Sequence, residues 1–180
     1  RWDGILGNMY YGDGSNNMTP FTTLDVVGHE IGHGLTQHTA GLIYANESGA
    51  LNESFSDILG NCVENFGKPG SASWRIGEDM GSFIRDMSFP NAKDHPDTYQ
   101  GDYWYSGTGD NGGVHINSGV QNFWFYLLSE GGNGRNDIGY SYDVNGIGIM
   151  NAALIAYRTL SIYLGPNSVY EDASFFSIIA

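Results

Sequence analysis

The sequence predicts a mainly α-helical domain opened by a short β-hairpin, and three observations lead there. Apolar residues recur at helical spacing through Leu24, Val27, Ile31 and Leu35. A second, largely apolar stretch runs from Ala50 to Phe66. Glycines close each such run, near Gly41, Gly67, Gly131-Gly132 and Gly165-Pro166, where a helix would stop. With 180 residues the chain is one domain by length, long enough to bury roughly 70% of the surface its unfolded form exposes.

Taken in order, Met9-Tyr10-Tyr11-Gly12-Asp13-Gly14 reads as a strand and turn, with Asp13-Gly14 as the hairpin signal. Residues 1–17 then form the hairpin and 18–180 the helical body. Helices are predicted over 24–39, 50–66, 117–130, 146–164 and 168–180, the first opened by a capping box between Thr22 and Asp25. From Pro69 to Gly113 the chain is rich in Gly, Ser and Asp, but Trp74, Tyr103, Trp104 and Tyr105 mark it as structured loop rather than linker.

Composition excludes more than it assigns. Twenty acids against seven bases give a formal charge of −13, which argues against nucleic acid or an anionic membrane as partner. The acids are scattered, not clustered in a disordered tail, and no apolar stretch reaches membrane-spanning length. The single cysteine, Cys62, has no partner for an internal disulfide and sits among Leu59, Val63 and Phe66, as a buried, inert thiol would.

The chemistry is carried by His29-Glu30-Ile31-Gly32-His33, within the first predicted helix. Histidines four apart lie one turn above each other on the same face, so both rings reach one metal ion. Glu30, about 100° further round, is placed to act as general base toward a water on that metal. Catalytic zinc takes three protein ligands and leaves a position for water. Thr36 and Thr39 stand where one zinc-peptidase pattern would have Gly and a third His, and His38 misses that register by one residue. The third ligand is therefore sought on the second helix, where Glu53 stands. Asp57 shares its face and is placed to take the other ring N–H of a ligating histidine. His38 and His95 belong to no motif and read as ordinary surface or core histidines.

Three ordered blocks then carry a resemblance: His29 to His33, Gly41-Leu42-Ile43-Tyr44 with Asn52-Glu53 to Asp57, and Asp110-Asn111-Gly112-Gly113-Val114-His115-Ile116-Asn117-Ser118-Gly119. The chain resembles the catalytic lobe of thermolysin-like neutral zinc metallopeptidases, including the twenty-position interval from His33 to Glu53. The resemblance implies zinc on His29, His33 and Glu53, with Asn52 and Asp57 supporting them, and Glu30 as general base in peptide-bond hydrolysis. It implies Tyr44 and His115 as oxyanion donors, with Asp110 orienting His115. It implies Arg85 on the substrate backbone, and Val26 and Ile84 in a pocket for a bulky apolar residue after the cleaved bond.

The resemblance also implies calcium at Asp25, Glu64 and Glu78. Here the chain departs, with Ser73 where an aspartate is expected and Arg75 where a glutamate is. A two-ion cluster is thereby disfavoured, and room is left for one Ca2+. The family begins well before Arg1, so the expected partners are a peptide or protein substrate and a missing N-terminal lobe of the same precursor, in an otherwise monomeric, secreted protein. The helical lobe is expected to be truncated at both ends. The alternative is a zinc-binding fragment with an assembled site and little activity without that lobe.

Overall fold

A computed structural model describes residues 1–14 and 19–180, and among these the chain is mainly helical. Strands β1 (Trp2–Asp3) and β2 (Asn8–Met9) pair antiparallel. Their turn is made by Asp3, whose Oδ1 accepts from the amides of Ile5 and Leu6 at 3.0 Å each, and by Gly7 at φ +65°. The hairpin thus turns before Met9, and the Asp13-Gly14 turn expected from sequence is not part of it. The expected boundary between residues 17 and 18 lies outside the described residues.

Helices α1 (Leu24–Gln37) and α2 (Asn46–Gly67) form the centre of the molecule. Thr23 is the N-cap of α1 without a side-chain cap bond, and the expected Thr22–Asp25 box does not form. Asp25 is otherwise engaged: Oδ1 accepts from the Val26 amide at 2.8 Å and Oδ2 from the Gly77 amide. Nor does α1 bury the apolar stripe that predicted it. Leu24 and Ile31 are exposed, while Gly28, His29 and Gly32 are buried.

The reason is the closeness of α2. A Cβ on Gly28 would stand 2.9 Å from the Gly60 Cα, and one on Gly32 would stand 2.6 Å from the Ser56 Cα. A Cβ on Gly60 would meet the Asp25 carbonyl oxygen at 2.3 Å. Only residues without side chains let the two backbones come so near. Helix α2 starts four residues earlier than predicted, because its first turn, Asn46-Glu47-Ser48-Gly49, is polar and carries no apolar signal. Gly49 is needed there, since a Cβ would meet Val114 Cγ1 at 2.4 Å.

Around α2 are laid a short ribbon of β3 (Arg75–Ile76) and β4 (Arg85–Asp86), then α3 (Asp110–Asn117) and α4 (Gly119–Glu130). A ribbon of β5 (Gly131–Arg135) and β6 (Ser141–Asn145) follows. Its glycine-rich first strand has no alternating apolar pattern, so nothing in that segment predicted it. Helix α5 (Ile149–Arg158) continues into a π-helical turn, Thr159–Tyr163, and α6 (Tyr170–Ile179) completes the order. The helix expected over 146–164 is therefore shorter and changes its winding near the end. The core lies between α2, α4, α5 and α6, with Leu51, Phe55, Phe125, Ala152, Ala156 and Leu160 at its heart. Cys62 is a free thiol pushed up to about 12 by burial, in keeping with an inert one.

The α1–α2 approach makes a direct prediction. Gly60→Ala is expected to lower the free energy of unfolding by at least about 1–3 kcal/mol, the cost of forcing an atom into a packed core, as read in urea melts. Gly165→Ala meets nothing within 4 Å and should leave the midpoint essentially unchanged.

Candidate metal centre

The two histidines of α1 and Glu53 of α2 converge. His29 Nε2 lies 3.5 Å from Glu53 Oε2, and His33 Nε2 lies 3.3 Å from Glu53 Oε1. The opposite ring nitrogens are both engaged. His29 Nδ1 is 2.8 Å from Asp57 Oδ1, and His33 Nδ1 is 2.8 Å from Asn52 Oδ1 and 3.1 Å from Ser56 Oγ. Asn52 is oriented by donating its Nδ2 to the Leu42 carbonyl at 3.2 Å, so its Oδ1 faces the imidazole as an acceptor.

This arrangement sets the tautomers. Each Nδ1 carries the proton that its oxygen partner accepts, leaving each Nε2 lone pair directed at a carboxylate. Lone pairs and carboxylate oxygens so close repel one another unless a cation lies among them. Glu53 Oε2 is buried without a hydrogen-bond partner, which is costly for an isolated charge. The one ligand atom offered by each of His29, His33 and Glu53 lies within 4.8 Å of the others. The donor set, two imidazoles and a carboxylate, fits a zinc ion with a position left open.

The electrostatics agree with that fit. Burial works to raise the Glu53 carboxyl, but when protons on the imidazoles take the cation's place, the hydrogen bond from His33 and the charges of His29 and Arg85 outweigh it and hold it well below the usual carboxylate range. Burial works to lower His33, and the hydrogen bond and charge of Glu53 outweigh it in turn, holding the ring above its ordinary value. Both shifts describe a pocket that demands positive charge.

Further residues gather at the rim. Glu30 is half-buried, its Oε1 3.1 Å from the Arg1 amine, while its Oε2 is buried without a partner. Tyr44 donates its hydroxyl to Glu53 Oε1 and lies 3.1 Å from His115 Nε2. Burial first, then the Glu53 charge, pushes the Tyr44 hydroxyl well above the usual tyrosine range, so it is a donor at any physiological pH. His115 Nδ1 meets Asp110 Oδ1 at 2.5 Å, and the His115 amide donates to Asp110 Oδ2 at 2.9 Å.

His115 lies within α3, three residues before Ser118, the N-cap of α4. The first turn of α3 is left-handed, with φ of +51° at Asp110, +50° at Asn111, +88° at Gly112 and +84° at Gly113. Asp and Asn tolerate that region and glycine favours it, so these residue types curl the chain until the Asp110 carboxylate folds back onto His115.

The expected substrate contacts are less concentrated. A cavity of about 420 Å³ is lined by His29, Glu30, His33, Tyr44, Glu53 and His115, among others. Val26, Ile84 and Arg85 are not in its lining; Val26 is buried and Ile84 half-buried. Arg85 is a buried clamp on Asp57, with Nε 2.6 Å from Oδ2 and Nη2 2.7 Å from Oδ1. The cause is the charge of Asp57, which draws the guanidinium inward beside Glu53. Sequence reasoning missed Ser56 at His33 and Asn122, which donates to Asp57 from α4 at 2.8 Å. The visible signal for Asn122 was a polar residue set directly before Phe123-Trp124-Phe125.

Asp25, Glu64 and Glu78 also gather, offering one oxygen each within 4.8 Å of the others. Glu64 Oε2 and Glu78 Oε2 are buried without partners. Lys68 Nζ donates to Glu64 Oε1 at 2.9 Å and to Asp79, and Ser73 Oγ donates to Glu78 Oε1 at 2.6 Å. Burial raises the Glu64 carboxyl, the Lys68 hydrogen bond opposes it, and the nearby Glu78 and Asp25 charges add to the rise.

Comparison with known proteins follows the same lines. The description of the thermolysin metallopeptidase catalytic domain matches residues 1–37, and that of the thermolysin metallopeptidase α-helical domain matches residues 40–180. The thermostable neutral protease NprT of Geobacillus stearothermophilus is 46% identical over 179 residues, covering 95% of this chain and 31% of the relative. A thermolysin of Alicyclobacillus acidocaldarius subsp. acidocaldarius gives the same figures. Neutral protease B of Bacillus subtilis (strain 168) is 41% identical, over 94% of this chain and 30% of its own length. The precursor of protealysin, a metalloproteinase from Serratia proteamaculans, shares the fold with a TM-score of 0.72 at 32% identity, over 94% of this chain and 55% of that one. The chain thus spans 30–31% of the length of these curated relatives.

His95, near the buried Arg85, gives a pH prediction. Burial first and the Arg85 charge second push its pKa down to about 4, from an ordinary value of 6.5. Between those values the unfolded chain binds the proton and the folded one does not, so stability rises with pH across that window and is fully present above it. His95→Gln should therefore show a smaller fall in thermal midpoint between pH 7 and pH 5 than the parent. An equal fall in both would show that His95 is not the group concerned.

Proposed function

The chain belongs to the thermolysin metallopeptidase family, and we propose that it carries the catalytic centre of a zinc-dependent endopeptidase. The observation that carries this reading is the convergence of two imidazole Nε2 atoms on the Glu53 carboxylate, each Nδ1 already tied to a protein oxygen. Zinc, when bound there by His29, His33 and Glu53, supplies a Lewis acid for a peptide carbonyl and makes a water nucleophilic near neutral pH.

The chain's own residues supply the rest. Glu30 follows His29 on α1 and faces the same cavity, so its carboxylate takes a proton from the attacking water and passes it to the leaving amine. The Tyr44 hydroxyl and His115 Nε2 stand 3.1 Å apart beside Glu53, and the hydroxyl, with the doubly protonated His115 ring, donates to the oxygen that becomes negative. Asp110 holds His115 by its Nδ1, leaving Nε2 toward the cavity. Arg85 acts through Asp57, and it holds the substrate backbone only if the cleft brings a carbonyl to the guanidinium. A bulky apolar residue after the cleaved bond is the preference carried by the family resemblance of Val26 and Ile84. An extracellular location is part of the same reading, and no described helix is long and apolar enough to cross a membrane.

The test is hydrolysis of an internally quenched peptide with Leu or Phe after the cleavage point, by the zinc-loaded protein and its Glu30→Gln variant. Glu30→Gln should retain zinc and lose at least about 10²-fold in kcat, the scale of a general base. Zinc bound at one equivalent with no cleavage by either form would favour the zinc-binding fragment reading. Equal cleavage by both would remove Glu30 from the mechanism.

We further propose that Asp25, Glu64 and Glu78 hold one divalent cation, calcium by their all-oxygen chemistry. Lys68 pairs with Glu64 of this set and with Asp79 beside it, in a cluster where Ser73 and Arg75 stand in place of expected acids. One ion and one lysine together offset the buried charge. With zinc kept saturating, calcium should raise the thermal midpoint of the parent and leave that of Glu64→Gln unmoved. Equal responses, or none in the parent, would count against the site.

A further inference from the structure

Asp57 is completely buried, and both of its oxygens are saturated. Oδ1 accepts from His29 Nδ1 at 2.8 Å and Arg85 Nη2 at 2.7 Å; Oδ2 accepts from Arg85 Nε at 2.6 Å and Asn122 Nδ2 at 2.8 Å. A carboxylate has about four lone-pair positions, and all four are filled. Three of the four donors come from groups tied to the zinc chemistry or its charge balance. The fourth comes from α4, which supplies no metal ligand.

Asn122 is itself fixed. It is 1% exposed, and its Oδ1 accepts from Ser54 Oγ at 2.7 Å. Oδ2 of Asp57 has no proton to give, so the amide must present its NH₂ there, and Ser54 must spend its single hydroxyl proton on the amide oxygen. The amide therefore has one orientation and cannot flip without breaking both bonds. Ser54 is the next residue after Glu53 on α2, so the loop Glu53-Ser54-Asn122-Asp57-His29 closes on the metal ligands at both ends.

We propose that Asn122 is a positioning residue for the zinc centre: held by Ser54, it fixes the Asp57 carboxylate and through it the ring of His29, and so governs how tightly the metal is retained. The proposal rests on the zinc reading above. Without the Asn122 donor, Asp57 Oδ2 faces a gap and the carboxylate can rotate about its Arg85 bonds. His29 then loses its fixed direction. Groups that orient a metal-ligating histidine typically change metal affinity about 10–100-fold when removed.

The experiment uses the zinc-loaded protein, with Asn122→Ala, Ser54→Ala and, as a control on the same helix, Gln121→Ala. Gln121 is 5% exposed but makes no hydrogen bond to Asp57 among the described residues, and its Nε2 has no hydrogen-bond partner. Zinc release to a competing chromogenic chelator gives the dissociation constant. Visible absorption of the cobalt-substituted forms reports ligand geometry, and thermal midpoints of metal-free forms report stability alone. Asn122→Ala should weaken zinc by about tenfold or more and shift the cobalt spectrum; Ser54→Ala should do so by a few-fold; Gln121→Ala should lose stability without either change. Parent-like zinc retention and cobalt spectrum in Asn122→Ala would overturn the proposal, whatever its midpoint. If that variant does not fold, unchanged retention in Ser54→Ala overturns it equally. Absence of zinc binding in the parent would instead bring down the metal reading itself.

Discussion

The close approach of α1 and α2 is the constraint on which the rest depends. At Gly60 an added Cβ would lie 2.3 Å from the Asp25 carbonyl oxygen, so the two backbones run nearly in contact. That distance lets side chains of ordinary length on one helix reach those on the other without spanning a layer of packing. His29 and His33 meet Glu53, Asp57, Asn52 and Ser56 across this seam. Larger residues at Gly28, Gly32 or Gly60 would push the helices apart, and the same four partners would fall out of hydrogen-bond reach. The convergence of His29, His33 and Glu53 is in this sense a consequence of glycine placement, one step before it is a consequence of those three side chains.

Burial then decides how the charges are arranged. Glu53 and Asp57 are both fully enclosed, and a buried carboxylate without partners would be expelled or protonated. Asp57 is instead held well below the usual carboxylate range, because the Arg85 charge and the His29 hydrogen bond outweigh its desolvation. Glu53 lacks such saturation: its Oε2 has no hydrogen-bond partner, and Arg85 Nη2 and His29 Nε2 stand off at 3.7 and 3.5 Å. The two acids, one turn apart on α2, thus differ in kind. One is fully neutralised by protein groups and serves as a rigid anchor. The other keeps unsatisfied charge facing two lone pairs, which is the condition for holding a cation.

Local spacing explains how much of this was legible before the fold was known. The His29–His33 pair, Glu53 and the Asp57 support follow from helical geometry, because each pair lies four apart within a single helix. The existence of α1, α2 and α6 followed likewise. What escaped depends on contacts distant in sequence. The buried face of α1 is its glycine and histidine side, since the choice of face was made by α2 and not by the apolar stripe of Leu24 and Ile31. Asp25 gave up its capping role to an amide 52 residues on, at Gly77. The hairpin of β5 and β6 is built on glycines without alternation. Asn122 reaches Asp57 across 65 residues, and no local pattern records that.

Scarcity of positive charge ties these features together. With seven Lys and Arg against twenty acids, most carboxylates have no partner and must stay in water. Three of these cations go to acids that water cannot serve. Arg85 goes to buried Asp57, Lys68 to buried Glu64, and Arg75 to Asp86, which is 6% exposed as a side chain. Ion pairs of this kind are held in place by what their removal would leave behind, an uncompensated buried charge, more than by their own attraction. The formal charge of −13 is therefore mostly a property of the surface. Beneath it, each enclosed acid has either a cationic side chain, a set of neutral donors, or an unfilled oxygen turned toward a cluster of other ligands. Glu30, Glu53, Glu64 and Glu78 each carry such an oxygen, and the last three belong to the two groups, His29-His33-Glu53 and Asp25-Glu64-Glu78, whose ligand atoms lie within 4.8 Å of one another; each group takes at least one residue from α1, Asp25 in its first turn, His29 and His33 further along.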